Sequence, residues 1–436
     1  MSIKSSLQHI AQRLASSSLA RRIMSGAFWS VFGTAAGKLI VLVAGIVCAN
    51  ILGKVGYGQL GIVRSTINLF VVFGMAGMGV TASKYIAQYK NTDKEYAGKI
   101  ASITQLFAVL AGCIACLVVL VFAERLASSA LNAPQLAPEI RVGAVLLFVT
   151  ILNGAQSGIL AGFEKFRAIA KNTFIASACE GSLMVLGAWL NGVFGAVLGF
   201  GIGYAVLYVC NRFSINSACR ECDIRQQWRG IKPADLRILY RFSLPAALSS
   251  ILVMPAYWIV RTLIIRYDGF GELGIYEAAD QWRLIILFIP GALSQIVLPI
   301  LSNVLEENGA QSFWKVIWSN IAINAAITAA LSLVVMLCGE WLMQLNGKEF
   351  IGSATVTCLA FSTVFSSAAT VVGNAITSRG RVWTGFAFNF VWACMFIGFS
   401  LYALDLGMAS KGVAFALLAA YALHTTFQLV YLVKTK

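Results

Sequence analysis

The sequence predicts an all-α integral membrane protein with twelve transmembrane helices in two six-helix lobes related by a parallel internal repeat. Three observations carry that expectation. Of 436 residues, 59% are hydrophobic and 12% charged, against ordinary globular values of about 45–50% and about 25%. A soluble fold would lack the charge to cover its surface. Apolar segments of about 20 residues, each enough to cross ~30 Å of hydrocarbon, recur along the whole chain. The first half also resembles the second at an offset of 213 residues. A soluble enzyme, a disordered chain and a secreted disulfide scaffold are thereby excluded.

Residues 1–26 form a polar, basic N-terminal segment carrying Lys4, Arg13, Arg21 and Arg22. The first apolar segment, 27–51, is too long for a signal-peptide core. Others follow at 60–83, 100–123, 142–163, 173–191, 193–211, 242–265, 275–304, 316–338, 351–377, 384–404 and 412–433. Only an Asn191-Gly192 turn separates the fifth from the sixth, a dipeptide suited to reversing the chain. The expected domains are an N-lobe at 27–211, a basic linker at 212–241, a C-lobe at 242–433 and a short terminus at 434–436.

Basic residues in short loops favour the cytoplasm. With the N-terminus inside, 23 Lys/Arg fall on the cytoplasmic face, six on the other and four within spans. Both termini are therefore expected inside. The formal charge of +15 is then a signal of topology, and no nucleic-acid partner is needed to explain it. Cysteine usage adds little. Eight of ten cysteines lie in apolar runs, where Cys acts as a small hydrophobe. Cys219 and Cys222 form a lone CxxC with no second pair and no neighbouring histidine. No Gly-rich phosphate loop, HExxH or nucleophile elbow occurs. Together with outer loops none of which much exceeds about fifteen residues, this predicts no catalytic residue, no metal and no cofactor.

The repeat pairs Gly56-Tyr57-Gly58-Gln59-Leu60-Gly61-Ile62 with Gly269-Phe270-Gly271-Glu272-Leu273-Gly274-Ile275, and Tyr204-Ala205 with Tyr421-Ala422 near the ends of the halves. Proteins built of such repeats hold substrate between them and rock for alternating access. Four of seven prolines, including Pro255, Pro290 and Pro299, lie in spans seven and eight. Each removes a backbone hydrogen bond that must be compensated within the bilayer. They are hinge candidates, with Gly77 at the position matching Pro290.

Seven ionisable residues fall inside spans: Lys38, Arg64, Glu180, Arg261, Glu277, Asp280 and Arg283. Intramembrane charge costs at least ~2.5 kcal/mol near the bilayer centre unless paired or wetted, which marks such residues as functional. Six of the seven belong to spans one, two, seven and eight. The cations Lys38, Arg64, Arg261 and Arg283 suit phosphate. Asn68, Gln281, Tyr257 and Trp258 suit sugar hydroxyls and faces. Asp280 and Arg283, three residues apart, can pair along a helix. Glu180, Glu277 and Asp280 are candidates for coupling to H⁺ or Na⁺.

The stretches Phe28-Trp29-Ser30-Val31-Phe32-Gly33, Ala49 to Gly61, Phe73 to Gly79 and Gly158 to Phe166 resemble those of Wzx-type O-antigen and polysaccharide flippases, within the multidrug/oligosaccharidyl-lipid/polysaccharide exporter superfamily. The resemblance implies a bacterial inner-membrane location and transfer of undecaprenyl-pyrophosphate-linked oligosaccharide from the cytoplasmic to the periplasmic leaflet. It also implies a polysaccharide polymerase and a chain-length regulator as partners in the same membrane. Lys38 and Arg283, the cations farthest from an interface in the repeated hairpins, are expected to bind that pyrophosphate. Rival readings are a cation-coupled drug antiporter on the same fold, a membrane-embedded glycan polymerase or glycosyltransferase, and a scaffold of envelope assembly.

Overall fold

The computed structural model describes residues 18–75, 77–226, 252–291, 309–379 and 381–435, and among them there is no strand. The first half comprises Ser18–Met75 (α1), Met78–Tyr89 (α2), Lys94–Arg125 (α3), Ala137–Gly162 (α4) and Phe166–Glu221 (α5). The second comprises Val253–Ile286 (α6), Gly309–Gln344 (α7), Ser353–Ser378 (α8), Val382–Asp405 (α9) and Ala409–Lys434 (α10). A π-helical turn, Leu126–Ala130, follows α3. Eight helical stretches among the described residues are long and apolar enough to cross a bilayer, so the protein is a multi-pass membrane protein. The stretch Val253–Ile286 is not one of the eight. It carries Arg261, Arg266, Glu277, Asp280 and Arg283, and most of these turn inward.

Three helices are broken where the sequence places turns. Gly53 adopts φ 65°, ψ 174° within α1, and Gly269 adopts φ 83°, ψ −179° within α6. Both lie in a region essentially reserved for glycine. In α5 the break falls at Asn191 and Gly192, the predicted turn. The two corner glycines stand 216 residues apart, three more than the offset at which the sequence motifs align. Gly53 and Gly269 share the same kind of break, whereas the sequence motifs set Gly56 against Gly269.

Other boundaries differ from expectation. The second apolar segment does not run unbroken to 83, because α1 stops at Met75 and Gly77, at φ 71°, ψ 6°, opens α2 in the left-handed region. Helix α5 extends ten residues beyond the expected lobe boundary to Glu221, so the start of the predicted linker is helical. Its two arms are joined by Asn172, whose amide donates to Asn211 Oδ1 and Ser214 Oγ, both at 2.9 Å. Pro255 lies in the first turn of α6, where a missing N–H costs no helical bond. Pro290 lies four residues past its end. Pro299 and the second half of the predicted linker, residues 227–241, lie outside the described residues.

Helix α1 packs on α5 and α6, and in the second half α8 packs on α7 and α10. One buried apolar cluster runs through both halves, from Ala44 and Leu60 to Ile264, Leu273 and Leu417. Large apolar side chains such as Val121, Leu337 and Trp341 stand exposed on the outside, as a lipid-facing surface requires.

Candidate functional site

The broken helices α1 and α6 meet corner to corner, and below the corners they diverge around a cavity of about 570 Å³. Thr173, Ser177, Glu180 and Tyr204 of α5 complete its wall. Toward the corners the cavity is sealed by Tyr57, 5% exposed, Leu60, 1%, and Arg261, 9%. At the opposite end Met254 and Leu284 are 39% and 48% exposed, and Lys38 and Asn68 are exposed as well. The cavity is therefore a blind pocket that opens away from Gly53 and Gly269.

All seven ionisable residues singled out in the spans line this one cavity. Six are paired. Arg261 binds Glu277 and, at 3.0 Å, Asp280. Arg283 binds the other oxygen of Asp280. Its Nη1 donates to the Tyr257 hydroxyl at 3.2 Å, with the Tyr257 ring beneath the guanidinium. This chain of four charges is set into the wall, with Arg261, Asp280 and Arg283 buried. Burying an ion costs several kcal/mol, which only good pairing offsets, so the alternation of sign is what lets these groups sit here. The Arg64–Glu180 pair is looser, at 3.6 Å, and Arg64 remains 31% exposed.

Lys38 differs from the others. Among the described residues it has no carboxylate partner, and its ammonium stands 5.4 Å from the Phe288 ring centroid. With four cations and three carboxylates, the lining carries one net positive charge, placed at the open end. The site can therefore receive a hydrated anion at its mouth while its inner wall stays neutral.

The structure brings Lys38, Arg64, Asn68, Glu180, Tyr257, Arg261, Glu277, Asp280, Gln281 and Arg283 together on the cavity. Trp258 is placed elsewhere: its indole N–H donates to Thr66 Oγ1 at 2.9 Å, tying α6 to α1. Glu180, read from the sequence as standing alone in its span, is the partner of Arg64. The Gln281 amide oxygen occupies space that a Cβ on Gly45 would fill. Sequence reasoning missed Tyr57, Ser177 and Tyr204 as lining groups. Tyr204 and Tyr421 did stand out as a repeated pair, and Tyr421 lies behind the wall with its hydroxyl 3.2 Å from that of Tyr257.

A family described as polysaccharide biosynthesis protein matches residues 23–305. The EPS I polysaccharide export inner membrane protein EpsE of Ralstonia nicotianae is 22% identical over 408 residues, covering 90% of this chain and 89% of its own. A putative O-antigen transporter of Shigella flexneri is 22% identical, covering 65% and 68%. The lipid III flippase of Escherichia coli is 25% identical, covering 63% and 67%. Among solved structures, an inward-facing multidrug resistance MATE transporter of the MOP superfamily superposes with a TM-score of 0.80 at 17% identity, over 91% of this chain and 93% of that one. A MOP superfamily transporter from Pyrococcus furiosus gives 0.73 at 17% identity, over 94% of each. These likenesses establish the fold.

Proposed function

The chain belongs to the polysaccharide biosynthesis protein family, and from that premise we propose that it flips lipid-linked oligosaccharide from the cytoplasmic to the periplasmic leaflet of a bacterial inner membrane. It is a transporter and not an enzyme. The observation that carries the reading is the gathering of seven intramembrane charges onto one blind cavity between the two halves. A sugar hydroxyl taken bare into hydrocarbon costs roughly 4–8 kcal/mol, so an oligosaccharide head needs such a polar enclosure. The polyprenyl tail is as apolar as the lipid and gains nothing by entering.

The crossing number follows from length. At 1.5 Å per residue, the 58 residues of α1 and the 56 of α5 are each far longer than the ~30 Å core, and each is broken near its centre. Reading α1, α5 and α6 as paired spans yields twelve crossings, six per half, with both termini cytoplasmic. The equivalence of Gly53 with Gly269 supports a parallel repeat.

Lys38 and Arg64 are the substrate's first contacts in this scheme, since both are accessible and neither is fully engaged. Arg283, Arg261, Glu277 and Asp280 hold the wall in shape. Tyr57, Asn68 and Gln281 contact sugar. Outward passage of an anion is favoured by about 2.3 kcal/mol per charge per 100 mV, inside negative. Any coupling to H⁺ or Na⁺ runs through Glu180, whose ion pair is the longest of those lining the cavity. A drug-cation antiporter would need a free carboxylate in the cavity, and every carboxylate lining it is already paired with arginine.

Deleting the gene tests the proposal. Loss of surface polysaccharide, with lipid-linked units retained on the cytoplasmic leaflet, is the expected outcome. Normal surface polysaccharide would refute it. A polymerase and chain-length regulator in the same membrane would act on the flipped units.

A further inference from the structure

The sealed end of the cavity carries contacts that the transport reading does not use. Asn50, three residues before the Gly53 corner, donates its amide to Leu345 O at 2.6 Å and to Ile46 O of its own helix at 2.9 Å. Arg266, three residues before the Gly269 corner, donates to Ser129 O at 2.7 Å and Ala130 O at 3.1 Å. Both Asn50–Leu345 and the Arg266 bonds cross from one half of the chain to the other. Asn50 and Arg266 stand 216 residues apart, and so do Ser129 and Leu345. The spacing is the one that separates the corner glycines. The contacts are therefore the same bond made twice, once in each direction across the corners.

The acceptors suit this use. Leu345 follows the end of α7, and Ser129 and Ala130 lie in the π-helical turn after α3. The last carbonyls of a helix lack an internal donor, and the negative end of the helix dipole favours a cation such as Arg266. Between the two bonds the corners touch through backbone. A Cβ on Gly58 would meet Gly274 N at 2.9 Å. Glu349 accepts the Lys54 N–H at 2.7 Å, the donor freed by the break at Gly53.

We propose that Asn50–Leu345 and Arg266–Ser129/Ala130 are paired latches of the corner-side gate, which hold this end shut while the cavity is open at the other and must both break for it to open. Such latches rest on the alternating-access reading, and their test does not depend on any cargo.

The test uses the full-length protein with its ten native cysteines replaced and a single Ser65→Cys in the cavity. Labelling by a membrane-impermeant thiol reagent is followed in right-side-out spheroplasts and in inverted vesicles. An Asp268→Cys control identifies which preparation exposes the corners. Losing a neutral hydrogen bond shifts a two-state equilibrium by about threefold, and losing a charge-assisted one by about tenfold or more. In the corner-exposing preparation, Asn50→Ala should thus raise the labelling rate at position 65 about threefold and Arg266→Ala about tenfold. Because both bonds restrain one transition, the double variant should reach roughly thirtyfold. Arg266→Lys, which keeps the charge and a donor, should restore much of the slow rate.

Labelling from the opposite preparation reports folding, and a variant that fails it is replaced by Asn50→Ser or Arg266→Gln. Unchanged corner-side labelling in a double variant that still labels from the other side would overturn the latches. Faster labelling in a protein that proves not to flip lipid-linked oligosaccharide would leave the latches standing and defeat the transport proposal instead.

Discussion

Gly61 faces Glu277 across the contact between α1 and α6: a Cβ on Gly61 would lie 2.5 Å from Glu277 Cγ. The two residues are 216 apart, the spacing of the corner glycines. Gly61 leaves the space empty, and Glu277 fills it with a carboxylate that binds Arg261. Gly45 likewise leaves the space that the Gln281 amide oxygen occupies. Glycines of α1 thus make room for polar side chains of α6.

Gly61→Ala should therefore displace Glu277 from Arg261. Overpacking of this kind costs typically about 1–3 kcal/mol. The expected result is a lowered Tm in detergent and reduced transport, with Gly61→Leu more severe. The double variant Gly61→Ala with Glu277→Asp, which shortens the displaced side chain, should recover part of the Tm. An unchanged Tm in Gly61→Ala would show that the contact is not tight in the membrane.

Much of this was legible in the chain before its fold. Charge inside an apolar segment is expensive wherever the helix lies, so Lys38, Arg64, Glu180 and the four charges of α6 announced a shared polar space. The Asn191-Gly192 break was legible because the dipeptide itself reverses the chain. Partner choice was not. Arg64 and Glu180 belong to helices α1 and α5, and apolar periodicity says which residues form a helix but not which helix lies beside it. Trp258 shows the same limit. Its aromatic ring in a charged hairpin suggested sugar binding, yet its N–H was needed for Thr66. The motifs align at an offset of 213 while the two positive-φ corners lie 216 apart, because several closely spaced glycines allow more than one alignment and the sequence does not say which of them takes the corner.

Lys38→Ala should lower flipping by about tenfold or more, the worth of a charge-assisted contact, with abundance near normal because the side chain supports no ion pair among the described residues. Lys38→Arg should retain part of the rate, since charge is kept while the compact ammonium is lost. Delivery of lipid-linked oligosaccharide to the outer leaflet, measured against protein abundance, is the readout. Full activity of Lys38→Ala would exclude it as the entry cation.

Orientation can be checked separately. Arg225 is exposed just beyond α5, and on the proposed topology it faces the cytoplasm with the other basic residues. In a background stripped of native cysteines, Arg225→Cys should resist an impermeant thiol reagent in intact spheroplasts and react in inverted vesicles. Asp268→Cys should behave oppositely. Labelling of position 225 from outside would reverse the topology.

Arg283 is 6% exposed, with Nε on Asp280 and Nη1 on the Tyr257 hydroxyl. On the proposed reading it serves the wall, whereas the sequence alone suggests that it grips the pyrophosphate. Arg283→Ala strands part of the Asp280 charge, and breaking a buried pair costs about 3–5 kcal/mol, so abundance and Tm should fall along with transport. The neutral double variant Asp280→Asn with Arg283→Gln removes both charges while keeping similar shapes and hydrogen-bonding capacity. Arg261 retains Glu277 in that protein. If Arg283 only balances Asp280, the double variant should regain both stability and flipping, which is the expected outcome. A double variant that regains its Tm yet stays inactive would return Arg283 to the substrate. The inner wall would then open during the cycle to release its guanidinium.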